Sequence, residues 1–197
     1  CSIPRIGEPA ARGQCGRVGG SGGVKRPWTV ILCGAAVVTL AMGVRQAFGL
    51  FLPQMSAALD ISRGSFGLAL ALQNLLFGLA QPVVGAIADK HGAGRVIFFG
   101  ALLYIAGLVA AAMATSAIGL HLSFGVAIGM ALSATTFVVV LGAVGRVVAP
   151  EQRSLSFGII TAGGSLGQFL VVPAGQMLLA ELGYRLALIA LAGLIAL

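Results

Sequence analysis

The chain has 197 residues, 58% of them hydrophobic and 9% charged, with a formal net charge of +7 and a mean hydropathy of +1.04. Soluble domains carry about 25% charged residues, and five acids with twelve bases cannot give this chain a polar shell, which excludes a soluble domain or soluble enzyme. Nucleic acid is not an expected partner: five bases fall in the first 27 residues, most others punctuate apolar runs, and no aromatics interleave with them as base stacking requires.

Residues 1–27 are rich in Gly, Arg and Pro without periodicity and read as a disordered basic tail. The run after Trp28 exceeds a signal-peptide core and no A-x-A-like site follows it, so an uncleaved first helix is expected. A bilayer core takes about 20 apolar residues as helix. The first span is placed at about 28–52, with Pro53 at its outer end. The second runs about 64–88, the third 95–114, the fourth 120–141 and the fifth 154–180. A sixth starts near Gly183 and stops at Leu197; with Cys1 in first place, this points to a partial sequence. Helices are the natural choice because an open sheet edge cannot be satisfied in lipid.

Positive residues set the orientation. The tail and the loops holding Lys90/Arg95 and Arg146/Arg153 carry nine Lys and Arg, against Arg63 and Arg185 on the other side. The amino terminus is therefore expected in the cytoplasm, with Trp28 as an interfacial anchor, in a plasma (bacterial inner) membrane. Gly125, Gly129 and Ser133 recur every fourth residue on the fourth helix, and Gly163 and Gly167 do so on the fifth. Small residues at that spacing let helix backbones approach closely in lipid.

Arg45 lies about 25 Å along the first span from Trp28, at 1.5 Å per residue. A cation at such depth costs about 2.5–3.5 kcal/mol on insertion scales and should face a cavity or a partner, or snorkel to the outer surface. No acid sits mid-span in any other helix, so an unpaired Arg45 favours an anionic ligand such as a carboxylate. Gln73, Asn74, Thr135, Thr136 and Gln168 lie at comparable depths and either line a polar cavity with Arg45 or form interhelical hydrogen bonds. Between spans two and three, Asp89 can sit against a helix amino terminus or pair with Arg95. Gly85 permits a close crossing and Gly92 a tight turn. His91 reads as a loop residue and His121 as a solvated one at an outer helix end. Cys1, Cys15 and Cys33 have no paired spacing, so neither a disulfide framework nor a metal site is expected. No catalytic set, phosphate loop or cofactor motif is present in the sequence.

Two stretches carry a resemblance. Gly85, Asp89, Lys90 and Gly92, with Arg95 as the last base, resemble the G-x-x-x-D-[RK]-x-G loop between helices two and three of the major facilitator superfamily. Ala93 and Gly94 depart from that loop's basic run. The stretch from Arg153 through Leu155, Ser156, Gly158, Ala162 and Gly163 to Gly167 is similar to the R-x-L-A-x-G-x-x-x-A-G-x-x-x-G pattern of monocarboxylate transporters and oxalate/formate antiporters, with Ser156 replacing alanine. Pro173 and Gly183-Tyr184-Arg185 also fit, with Tyr184 where tryptophan is usual. The resemblance covers about residues 28–197.

It implies an all-α membrane protein, a six-transmembrane-helix half of a twelve-helix major facilitator fold, whose carboxyl-terminal half supplies part of the substrate site. The implied function is secondary transport of a small organic anion by alternating access, coupled to protons or a counter-anion, with the lipid bilayer and the missing half as partners. Arg45, Gln73, Asn74 and Gln168 are the expected substrate-binding residues; Gly85, Asp89, Lys90, Gly92, Arg95 and Arg153 the gating residues. Arg45 falls where monocarboxylate transporters carry a functional lysine, but arginine does not release its proton, so a proton-coupling role does not transfer. A truncated, non-transporting scaffold or sensor, or a facilitator of another solute, is the alternative.

Overall fold

The computed structural model describes residues 27–196, in which every regular element is helical. The expected basic tail therefore lies outside the described residues, except for Pro27. Five helical stretches are long and apolar enough to cross a membrane. We name them α1 (Trp28–Leu59), α2 (Arg63–His91), α3 (Ala93–Met113) and α4 (Ala117–Val147), followed by Pro150–Ile195. The last stretch is broken at Gly183, where φ is 73° and ψ 169°, into α5 (150–182) and α6 (184–195).

Local chemistry sets the junctions. α1 ends on Asp60, whose left-handed conformation (φ 50°, ψ 45°) caps the last turn. Ser62 starts α2 by accepting a hydrogen bond on Oγ from the Ser65 amide at 3.1 Å. Ser116 does the same for α4 from Gly119 at 3.2 Å. A single residue, Gly92, turns the chain from α2 into α3 with φ at 94°, a region that costs glycine nothing.

Two expected boundaries are corrected. Helix α1 does not end at Pro53. The backbone tightens to a 3-10 turn over Phe48–Phe51 and then continues as Leu52–Leu59, with Pro53 in its first turn. A proline is tolerated there because first-turn amides have no intrahelical acceptor. Helix α4 is longer than expected at both ends and irregular inside, widened over His121–Ala127 and interrupted at Thr136 (φ −112°, ψ −165°). Its buried hydroxyls bond back within the helix: Ser123 to Gly119 O (2.7 Å), Ser133 to Met130 O (2.6 Å), Thr135 to Ala131 O (3.0 Å) and Thr136 to Leu132 O (2.8 Å). Such back-bonding satisfies a hydroxyl in an apolar setting and bends the helix.

Helices α1 and α5 pack together, as do α2 and α4, while α3 lies against α4 and the 150–195 stretch. Both crossings run through glycines. A Cβ on Gly167 would strike the Thr39 backbone, and one on Gly163 would come within 2.9 Å of Thr39 Oγ1. On α4, a Cβ on Gly125 would lie 2.9 Å from Leu72 Cδ2, and one on Gly129 would lie 2.9 Å from the Gln73 carbonyl oxygen. Buried aromatics fill the space between α1, α2, α3 and α4: Phe48 and Phe124 rings are 4.5 Å apart, Phe66 and Phe124 5.7 Å, Phe48 and Tyr104 6.5 Å. A second apolar cluster joins Ile31, Val38, Met42, Val140, Val144 and Ile160. Outward-facing side chains are also apolar, among them Leu75, Leu79 and Val83 on α2 and Phe98 and Phe99 on α3. In water so large an apolar surface drives association, whereas a bilayer solvates it.

Candidate functional site

Arg45 leaves α1 two residues after Gly43 and three before the 3-10 turn, and reaches α2. Its Nη2 donates to Asn74 Oδ1 at 2.5 Å. Its guanidinium carbon sits 5.2 Å from the centre of the Phe77 ring, within reach of the ring's negative face. Asn74 and Phe77 are three apart on α2 and so share one face. The Asn74 amide donates Nδ2–H to Leu70 O at 2.7 Å. That amide is therefore committed on both sides, one end to its own helix and the other to the arginine.

Beside this pair is a small cavity of about 150 Å³, lined by Arg45, Gln46, Phe48, Gly49, Leu70, Gln73 and Asn74. Among the described residues Arg45 is the only charged one lining it and no acid does, so its electrostatic character is cationic. Gln73 is 1% exposed, and its Nε2 has no hydrogen-bond partner among the described residues. The arrangement offers an anion a fixed guanidinium, a spare amide and apolar walls.

The other polar residues expected at this depth lie elsewhere. Gln168 is half-buried on α5, next to Gly167, and does not line the cavity. Thr135 lines a different cavity of about 250 Å³, mainly apolar, with Cys33, Leu40 and Tyr104. Thr136 is fully buried. His121 is not the solvated residue the sequence implied: Nδ1 lies 2.5 Å from Ala117 O and Nε2 is buried without a partner among the described residues.

At the opposite end of α2, Asp89 pairs with Arg146 of α4 at 2.8 Å, not with Arg95. Both side chains are about half exposed or more, at 68% and 48%. Gly85 lies against Val138, where an added Cβ would find ordinary contact at 3.5 Å. Lys90 and Arg95 are exposed, and Arg153 donates from Nε to Val148 O at 3.4 Å. Sequence reasoning singled out neither Phe77 nor the Asp89 partner Arg146. Phe77 had a signal, its three-residue spacing from Asn74; for Arg146 the sequence offered only its side of the membrane.

The sequence matches the Major Facilitator Superfamily over residues 31–197. The chain belongs to that superfamily. It is 32% identical to monocarboxylate transporter 11 of Mus musculus over 164 residues, covering 83% of this chain and 36% of that protein. Human monocarboxylate transporter 11 is 30% identical over 83% of this chain and 34% of its own length. Monocarboxylate transporter 13 of Rattus norvegicus is 30% identical over 85% of this chain and 39% of its length. The chain thus spans little more than a third of the relatives it matches. As a major facilitator chain with five long apolar helical stretches, it is a multi-pass integral membrane protein.

Proposed function

We propose that this chain forms the amino-terminal bundle of a secondary transporter that carries a small organic anion, a monocarboxylate or an oxalate- or formate-like acid, by alternating access. The observation that carries this reading is the acid-free cavity in which Arg45 is held by Asn74 and Phe77. A half-buried guanidinium whose neighbours in the cavity include no carboxylate is suited to bind the carboxylate of a ligand. The names of the relatives favour the same substrate class. Substrate sites of such transporters sit near the bilayer midplane between two rocking halves, and Arg45, Gln73 and Asn74 are this half's contribution, with Gln168 near the α1–α5 crossing.

The charged end of α2 and α3, with Gly85, Asp89, Lys90, Gly92 and Arg95, together with Arg153 at the start of α5, forms the gating layer. The excess of bases at this end supports a cytoplasmic side for that layer and for the amino terminus, in a plasma membrane. The test is uptake of radiolabelled pyruvate, lactate and oxalate in cells carrying the complete gene, with and without a proton gradient. Arg45→Ala abolishes uptake in this reading. Wild-type uptake by Arg45→Ala removes Arg45 from the site, and absence of uptake for every organic acid refutes the transport assignment.

A further inference from the structure

Two neighbouring amides on α2 line the cavity with Arg45 in different states, and the difference assigns them different work. Asn74 is engaged at both ends: Oδ1 accepts from Arg45 and one Nδ2–H donates to Leu70 O. Gln73 lines the same cavity and is all but fully buried, yet its Nε2 has no partner among the described residues. A buried amide without a partner is destabilising, and nearly all buried polar groups in folded proteins are satisfied. Such a group persists where something else completes it.

The backbone at this position lies at a close helix crossing. Helix α4 crosses α2 at Gly129, so closely that a Cβ there would lie 2.9 Å from Gln73 O and 3.1 Å from Gln73 Cα. Only a glycine at this crossing allows so close an approach, and it sets the distance of the Gln73 backbone from α4. Arg45 is fixed by Asn74 and by the Phe77 ring. The cavity therefore holds a positioned cation and, beside it, a neutral amide whose backbone is set by the crossing, and preorganised donors bind more tightly than mobile ones.

Building on the proposed function, we infer that Gln73 is a direct ligand of the transported anion's carboxylate, which it binds jointly with Arg45, whereas the contribution of Asn74 is to position the arginine through its carbonyl. A carboxylate has two oxygens, each able to accept. One takes a free guanidinium N–H of Arg45, which has five donors and gives one to Asn74; the other takes Gln73 Nε2–H. The glutamine carboxamide turns about its last bond to present nitrogen rather than oxygen to an anion. Phe48 and Leu70, which complete the cavity wall, receive the carbon end of the acid. Recognition thus uses one charge and one neutral donor, which suits a single carboxylate with a short apolar tail.

The roles separate in an experiment on the full-length protein purified in detergent, with acetate, pyruvate and lactate as probes. The readouts are melting temperature without ligand and dissociation constant by calorimetry. Gln73→Leu removes an unsatisfied polar group, so its melting temperature without ligand equals or exceeds wild type, while its dissociation constant rises about tenfold or more, as for loss of a hydrogen bond to a charged group. Gln73→Glu puts a second carboxylate beside Arg45 and abolishes binding. Asn74→Leu strands the guanidinium, so melting temperature and affinity fall together. Wild-type affinity in Gln73→Leu or in Gln73→Glu overturns the assignment, as does a clear fall in the melting temperature of Gln73→Leu, which marks a structural amide. In those outcomes wild-type binding of the acids is intact and the transport reading stands. If wild type binds none of the three acids, the assignment of Gln73 falls, and the transport reading then rests on the uptake assay with oxalate.

Discussion

Gly43→Ala tests whether the bundle depends on the closeness of α1 and α5. The added methyl would sit 2.6 Å from Gly167 O and 2.6 Å from Val171 Cγ2, where ordinary contact begins at 3.4 Å, so the helices must part by about 0.8 Å. Neither neighbour is the end of a flexible side chain; one is main chain and the other a β-branched methyl. A gap of 0.5–1 Å forfeits about a quarter to a half of each affected dispersion contact, and overpacking of this kind costs about 1–3 kcal/mol. At roughly 2–4 °C per kcal/mol for a domain of this size, the melting temperature falls by about 2–12 °C. The control is Gly158→Ala, also helical but with nothing within 4 Å of the new Cβ. It holds or raises the melting temperature, since alanine is the better helix former by up to about 1 kcal/mol. Tryptophan-fluorescence or light-scattering melts of the two variants in detergent measure the difference. Equal melting temperatures for Gly43→Ala and Gly158→Ala would refute the close-crossing argument.

Other expectations follow from single contacts. Arg45→Lys keeps the charge but loses the planar fork that holds Asn74 and lies over Phe77, so initial uptake of radiolabelled carboxylate falls at least about tenfold. A double-mutant cycle of Asp89→Asn with Arg146→Gln gives a coupling energy below about 1 kcal/mol in thermal unfolding, because both side chains are substantially exposed; a larger coupling means the pair is shielded in the working protein. Ser62→Ala removes the cap of α2 and destabilises the protein by about 0.5–2 kcal/mol, read from the same melts.

The membrane fold was legible because apolar runs of spanning length have few alternatives. Gly183, where sequence places the start of a sixth helix, is the one residue in 150–195 with non-helical dihedrals. Pro53 misled because proline ends a helix or opens one, and the choice depended on the 3-10 turn before it. The Asp89 partner was illegible for another reason. Lys90, Arg95, Arg146 and Arg153 are chemically near-equivalent candidates on one side of the membrane, and only the packing of α2 on α4 selects Arg146. At the site, the depth of Arg45 is written in the sequence, but its bond to a residue 29 positions away is not. Nor could the sequence separate Gln73 from Asn74. Adjacent residues on a helix point about 100° apart, and which of them turns toward α4 is decided by where Gly129 lets the helices meet.

The two glycine crossings and the cavity form one device. Arg45 is carried by the helix that Gly43, Gly163 and Gly167 bring against α5, and Gln73 by the helix that Gly125 and Gly129 bring against α4. Substitutions at either crossing therefore act at the cavity without touching its lining. A shift of α1 by a few tenths of an ångström moves the guanidinium relative to Asn74, and a like shift of α2 moves the Gln73 amide relative to Arg45. Helix packing in lipid has no strong hydrophobic term to restore such a displacement, so geometry at the small residues sets the distance between the two donors. The spacing of glycines on α4 and α5 is in this sense part of the proposed binding site.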